Sequence, residues 1–293
     1  IKSHLPSLPE KNILREPRAK NTAPSLLLAT ASIYLRNPKA VVAVLPADHL
    51  ITETSAFLQK LEAGAEMASQ EEVLVTFGVP PTYPATGYGY IQFSEEDVRQ
   101  IKDEKFYRVQ EFKEKPDLAQ AKSFLEAGNC YWNSGMFLWK AETFARKLEQ
   151  HAPYFYSFWL DILEAQKIGD PKKIARIFDK IPALSIDYAL MEKARGVRMC
   201  EGSFGWSDVG SWTALGEIWK KDEQGNSFKG EGFALDANGC QVYNPGRMTA
   251  VIGIENIVIV NTDDALLVCH RDCDQKVKEI VETLKKQDKK KYL

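Results

Sequence analysis

The sequence predicts an α/β fold: a mixed, mostly parallel sheet with flanking helices, then a small C-terminal β-rich unit ending in a helix. Three observations predict it. Between Asn21 and Val79, short apolar runs alternate with amphipathic helical stretches, the pattern of strands joined by crossover helices. Val41–Ala47 (V-V-A-V-L-P-A) is almost wholly apolar, which suits a strand buried on both faces. From Asn226 to Val268 the chain turns to Gly, Asn and short Val/Ile runs, broken by Ala237-Asn238-Gly239 and Asn244-Pro245-Gly246, which suits a small all-β unit.

The elements follow in order. Asn21 or Thr22 caps a first helix, with Pro24 in its first turn, and Asn37-Pro38 stops it. The strand Val41–Leu45 is next. A helix over Thr54–Ser69 places Phe57, Leu58, Leu61, Ala65 and Ala68 on one face, and Val73–Val79 is a further strand. Tyr83–Tyr90 (Y-P-A-T-G-Y-G-Y) is a loop in which Gly87 and Gly89 allow backbone angles that other residues avoid. Strands at Tyr90–Phe93 and Phe106–Phe112 surround it, and a helix over Leu118–Ala127 follows Glu114-Lys115-Pro116-Asp117. Tyr131–Trp139 is a strand with a polar break at Asn133-Ser134-Gly135, the mark of a bulge or a close backbone approach. Helices fill Ala141–Lys180, one opens at Ser185-Ile186-Asp187 and runs to Lys193, and another lies near Trp212–Lys220. Asp274–Lys286 returns to helix, with Val277, Ile280, Val281 and Leu284 on one face. The boundary falls near Asn226, giving a core of residues 1–225 and a β-rich domain of 226–293.

Composition narrows the function. A formal net charge of -2 gives no broad pull toward nucleic acid or an anionic membrane surface. The basic tail Lys285-Lys286…Lys289-Lys290-Lys291 reads as a solvated helix end. No apolar run approaches the ~20 residues that span a bilayer, and the opening residues lack a signal-peptide pattern. Five cysteines, odd in number and scattered, suit reduced thiols in a cytoplasm. Cys269-His270…Cys273 lacks a fourth partner at zinc-site spacing.

Two carboxylates stand out. Asp48 follows the Val-rich run, and Asp208 sits in Trp206-Ser207-Asp208-Val209-Gly210. If both lie at one sheet edge, they can hold Mg²⁺ against phosphate oxygens and water; the rival reading is two separate helix caps. His49 reads as a structural hydrogen-bonding partner beside Asp48 rather than a base. Glu114-Lys115 offers a carboxylate for sugar hydroxyls and a point charge for phosphate, or else a surface ion pair. Asn133 offers an amide to a polyol, or else marks a structural bulge.

Several segments in order resemble one family. They are E-P-R-A-K-N-T-A-P at 16–24, P-A-D-H at 46–49, T-G-Y-G-Y-I at 86–91, E-K-P-D at 114–117, W-N-S-G-M-F at 132–137, S-I-D-Y-A-L-M-E-K at 185–193, W-S-D-V-G-S-W at 206–212 and V-N-T-D-D-A-L-L-V-C at 260–269. Together they look like the mannose-1-phosphate guanylyltransferases (GDP-mannose pyrophosphorylases), and they cover nearly the whole chain. The resemblance implies a Rossmann-like, GT-A-like nucleotidyltransferase core and a left-handed β-helix-like C-terminal unit that forms a homodimer contact. It implies the substrates GTP and mannose 1-phosphate, the products GDP-mannose and pyrophosphate, and Mg²⁺ as cofactor. By the same resemblance Asp48 and Asp208 hold the metal. Gly87 and Tyr88 line the sugar side, Glu114 and Asn133 meet its hydroxyls, Lys115 its phosphate, and Asp187 lies by the sugar pocket. Glu16, Asn21, Thr22 and Ala23 face guanine and ribose. Asp48, Lys115 and Asp208 are thus the expected catalytic residues.

The family's first strand and its G-G-x-G-x-R loop are absent from these residues. That loop cradles a triphosphate on backbone N–H groups, so the 293-residue chain alone is expected to turn over little. Two alternatives stand beside this reading: another sugar-1-phosphate nucleotidyltransferase, such as a glucose-1-phosphate thymidylyltransferase, and a non-catalytic sugar-nucleotide-binding regulator.

Overall fold

A side chain opens the first helix: Asn21, at φ 69°, accepts the Thr22 N–H at 2.7 Å and starts α1 (Thr22–Arg36). The computed structural model describes residues 3–292. By compactness the chain forms two units: residues through Ala47 with Ile51–Trp206, and Asp48–Leu50 with the chain from Ser207 onward.

In the first unit, six strands form one sheet: β1 (Val41–Val44), β3 (Leu74–Val79), β4 (Tyr90–Ile101), β5 (Glu104–Lys113), β6 (Cys130–Lys140) and β7 (Val197–Glu201), in the order β1-β6-β3-β7-β5-β4. A two-residue strand, β2 (Leu50–Ile51), pairs separately with β8 (Trp206–Ser207). The sheet is mixed, as expected, but the expected mostly parallel pairing is corrected: β3–β7 is the parallel pair, and the other ladders of this sheet are antiparallel. The reason is β6. Strands β1, β3 and β7 do run one way, but β6 lies between β1 and β3 and runs against both.

β1 brings a second correction. It is the end strand of the sheet, so Val42 alone of its residues is buried, and Ala43 is exposed. An apolar run is covered on both faces only where neighbours stand on both sides, and here β6 is its one partner among the described residues.

Alternation across the sheet builds two cores. Leu74, Phe137, Trp139, Val197 and Met199 face one side, where α1, α4 (Ala141–His151), α5 (Pro153–Lys167) and α6 (Pro171–Lys180) cover them. Trp139 stacks on Phe144 at 4.6 Å, and Phe144 meets Trp159 edge-on at 5.7 Å. Val75, Phe77, Leu138 and Cys200 face the other side, against Phe57 and Met67 of α2 (Thr54–Gln70). Leu58, expected on that helix's inner face, is 50% exposed, because the buried stripe follows Phe57, Lys60, Gly64 and Met67.

α3 (Leu118–Ala127) has the expected limits: Asp117 accepts the Gln120 N–H at 2.8 Å, and Gly128 ends it at φ 73°. The bulge expected at Asn133-Ser134-Gly135 is present, since the β3–β6 register jumps from Thr76↔Phe137 to Gly78↔Asn133. The helix expected from Ser185 is a single π turn, Asp187–Met191.

The second unit stacks β9 (Ser227–Leu235), β10 (Gln241–Ile252) and β11 (Ile257–Asn261) in parallel, with β12 (Leu266–His270) returning antiparallel. Buried asparagines pin the corners. Asn226 donates to the Ala237 carbonyl at 2.8 Å and accepts the Cys240 N–H at 2.9 Å. Asn244 donates to the Arg247 carbonyl at 2.7 Å, beside the register jump in β10. Parallel rungs turned at buried amides make this unit β-helix-like. α7 (Trp212–Glu217) precedes it, and α8 (Val277–Lys286) follows with a half-covered apolar stripe. Among the described residues, no helix is long and apolar enough to cross a membrane.

Candidate active site

In the first unit, the polar break of β6 meets the Gly-rich loop and the end of β5. The Asn133 N–H donates to the Gly89 carbonyl at 2.8 Å, and its Nδ2 donates to Asp187 Oδ1 at 3.0 Å. Glu114, whose side chain is 9% exposed, pairs through Oε1 with Lys115 Nζ at 2.9 Å. Lys115 is half exposed and left-handed at φ 47°, so its ammonium can reach an incoming anion. Burial, then the nearby Asp187 charge, push the Glu114 carboxyl above its usual pKa, with Glu192 adding to this and Lys115 opposing it. Burial likewise raises Asp187, opposed by its hydrogen bonds and by Lys115. Burial would lower Lys115, but Glu114 more than reverses this, and its pKa is raised. The cluster therefore holds an excess of acceptors around one lysine, which suits a ligand rich in hydroxyl donors with an anionic group near Lys115.

The glycines act differently from the expectation. Neither Gly87 nor Gly89 has a positive φ. Gly89 makes a close approach: a Cβ there would overlap Glu114 Oε2 and stand 3.3 Å from the Asn133 Cβ. Tyr88 packs its ring against Trp132 at 5.1 Å and Trp206 at 5.6 Å, and Tyr83 meets Trp132 at 4.9 Å. These aromatics form a wall beside the loop that was not read from the sequence; the W-N-S-G and W-S-D motifs carried the signal.

The start of α1 is tied to the same region. The Thr22 hydroxyl accepts the Ile186 N–H at 2.8 Å, one residue before Asp187, and the Ala23 N–H donates to the Leu184 carbonyl at 3.0 Å. Ala23 is fully buried, and Asn21 caps α1. Glu16 is exposed; partial desolvation raises its carboxyl pKa, and the Ser25 hydroxyl opposes the rise.

In the second unit, Asp48 and Asp208 both act on the His49 imidazole, whose pKa burial lowers against the pull of the two carboxylates. Asp48 is exposed and Asp208 half-buried. Asp208 Oδ1 accepts the Gly210 N–H at 3.0 Å across Val209, which is left-handed at φ 51°. Carboxylate oxygens open to solvent are of the hard donor type that Mg²⁺ takes, one or two of them with water and phosphate oxygens filling its shell. Among the described residues there is no cluster of three or more His, Cys, Asp or Glu that could hold a metal ion.

The profile of the nucleotidyl transferase family matches residues 2–225. The chain belongs to that family. In this nucleotidyl transferase, residues 230–284 further match the MannoseP isomerase/GMP-like β-helix domain. It is 41% identical over 282 residues to the alginate biosynthesis protein AlgA of Pseudomonas putida, covering 96% of this chain and 57% of that protein. It is 36% identical over 291 residues to a mannose-1-phosphate guanylyltransferase of Escherichia coli, covering 96% of this chain and 61% of that one. The chain thus spans less than two thirds of the curated relatives it matches. A crystal structure described as mannose-1-phosphate geranyltransferase from Thermus thermophilus superposes with a TM-score of 0.79 at 34% identity, over 93% of this nucleotidyl transferase and 77% of that chain. The Rossmann-like core with a β-helix-like unit is thereby the fold of this chain.

Proposed function

We propose that this chain belongs to an enzyme that transfers GMP from GTP to mannose 1-phosphate, giving GDP-mannose and pyrophosphate. The observation that carries the reading is the Glu114–Lys115–Asn133–Asp187 cluster, an acceptor-rich group with one exposed ammonium. A sugar phosphate matches it: hydroxyls donate to Glu114 and the Asn133–Asp187 pair, and the phosphate lies by Lys115. The relatives named for mannose 1-phosphate support the choice of sugar.

In the reaction, a phosphate oxygen of mannose 1-phosphate attacks the α-phosphorus of GTP. The bond between the α-phosphorus and the bridging oxygen breaks, and pyrophosphate leaves. The nucleophile is already ionised at neutral pH, so the protein must align it and offset charge rather than remove a proton. Lys115 offsets charge on the sugar phosphate. Asp48 and Asp208 would hold Mg²⁺, which when bound supplies further neutralisation of the phosphates. His49 is assigned a positioning role beside Asp48, because the phosphate nucleophile needs no general base. Gly87 and Tyr88 border the sugar, and Glu16 and the Asn21–Ala23 turn border the nucleoside. A cytoplasmic setting fits the five free cysteines. A homodimer through the β unit fits its exposed Phe233, Leu235 and Ile252.

Titration calorimetry with Mg²⁺ tests the reading. GDP-mannose should bind more tightly than a thymidine or uridine diphosphate glucose, and Asp208→Asn should remove the Mg²⁺ dependence. Equal affinity for the three nucleotide sugars overturns the assignment of sugar and base.

A further inference from the structure

We propose that Glu192 is a positioning residue for the sugar-phosphate pocket, and that the π turn before it is the device that places it there. The inference rests on the reading of that pocket given under the proposed function. Glu192 Oε1 accepts the backbone N–H of Glu114 at 3.0 Å, across 78 residues of sequence. Glu114 is the buried carboxylate of the pocket, and the next residue, Lys115, is its cation. The hydrogen bond therefore grips the peptide on which both pocket groups stand.

That peptide needs a grip. Lys115 holds φ 47°, a left-handed conformation that costs a non-glycine residue about 1–2 kcal/mol. A backbone N–H held by a carboxylate makes one of the stronger hydrogen bonds available to a loop. Glu192 also faces like charges, because its carboxylate contributes to the raised pKa of Glu114. A carboxylate placed among carboxylates without a structural task would be a net cost; the Glu114 amide is the task.

The π turn explains how one short segment serves two partners. Asp187 takes the Asn133 amide and Glu192 takes the Glu114 amide. On an α-helix, residues five apart point about 140° away from each other. Here the Glu192 N–H bonds the Asp187 carbonyl at 3.0 Å, so residues five apart are neighbours on the same turn. Both carboxylates thus reach the pocket, one on the β6 bulge and one on the loop after β5. The S-I-D-Y-A-L-M-E-K segment reads as an ordinary helix from its sequence, on which Asp187 and Glu192 would point apart.

The test uses the 293-residue chain and three proteins: wild type, Glu192→Ala and Glu192→Gln. Gln keeps the acceptor oxygen and removes the charge. The Glu114 amide proton, read by ¹H–¹⁵N correlation spectra, should lie downfield in wild type and in Glu192→Gln, and should move upfield in Glu192→Ala. Calorimetry with mannose 1-phosphate should show roughly tenfold or greater weakening for Glu192→Ala. Glu192→Gln should stay within about twofold of wild type on the same scale. Thermal melts establish that each variant is folded. A folded Glu192→Ala protein with wild-type affinity overturns the proposal, and so does a Glu192→Gln protein as weak as Glu192→Ala. If wild type binds no mannose 1-phosphate, the functional reading falls. The amide shift then decides the positioning claim alone, and an unmoved Glu114 amide in Glu192→Ala overturns it.

Discussion

Gly89→Ala tests the pocket geometry with one methyl group. Gly89 lies at an ordinary negative or extended φ, so alanine is allowed by the backbone. The added Cβ falls inside the 3.0 Å floor for Glu114 Oε2, and it stands 3.3 Å from the Asn133 Cβ. Ordinary contact begins at 3.4 Å, so the Glu114 carboxylate must retreat by about 1 Å. Glu114 is the mobile partner in this clash, and the fold should survive: overpacking of this kind costs about 1–3 kcal/mol. Lower unfolded-state entropy returns about 0.4–1 kcal/mol. The pocket should fare worse. A carboxylate displaced by about 1 Å loses a charge-assisted hydrogen bond of about 1.5–3 kcal/mol, which is about 10- to 100-fold in affinity. Calorimetry with mannose 1-phosphate, alongside a urea melt, reads both quantities. A stable Gly89→Ala protein that binds as wild type does would refute the placement of Glu114 against the ligand.

Three further outcomes are expected. Asp187→Asn should raise stability near neutral pH, because burial raises the Asp187 pKa and the charged form is the costly one; wild type regains that stability as pH falls through the raised pKa, so melts at acid pH should converge. Lys60 and Glu104 pair at 2.6 Å with side chains 11% and 19% exposed, so Glu104→Ala strands a buried ammonium and should cost about 3–5 kcal/mol by urea denaturation; a Lys60→Met, Glu104→Leu double variant should recover most of it. Gly205 holds φ +65° and a Cβ there would overlap Thr52 Oγ1, so Gly205→Ala should lose at least about 2 kcal/mol from the backbone and the clash together, and a melt within about 1 °C of wild type would contradict this.

The helix limits were legible wherever a cap spells them. Asn21 opens α1, and Asp117 precedes α3, as the sequence indicates; the starts of α5 and α6 at Pro153 and Pro171 were not read within the helical stretch Ala141–Lys180. The β-rich unit was legible from its turns. Other features depend on neighbours that no local pattern names. β4 continues to Ile101 because β5 pairs with it on both sides of the charged stretch Glu95–Asp97, which the register skips between Ser94 and Val98. The Val41 run has the composition of an interior strand, yet stands at the end of the sheet. The π turn differs from an α turn by one residue in its hydrogen bonding, below what a hydrophobic period can resolve. In the pocket, Glu114, Asn133 and Asp187 were legible as motif residues. Glu192 stands in the same segment as Asp187, but its task was not legible, because its partner is a backbone amide, which leaves no trace in residue type.

The outermost strand has a consequence for the chain in concentrated solution. Val41–Val44 is short, apolar and uncharged, without proline or lysine to deter a visitor. Its outward peptide groups are a ready rail for any extended segment that drifts alongside, including the same rail on another molecule. Any self-association of these 293 residues through that rail should therefore resist salt, since backbone pairing rather than charge would hold the molecules together.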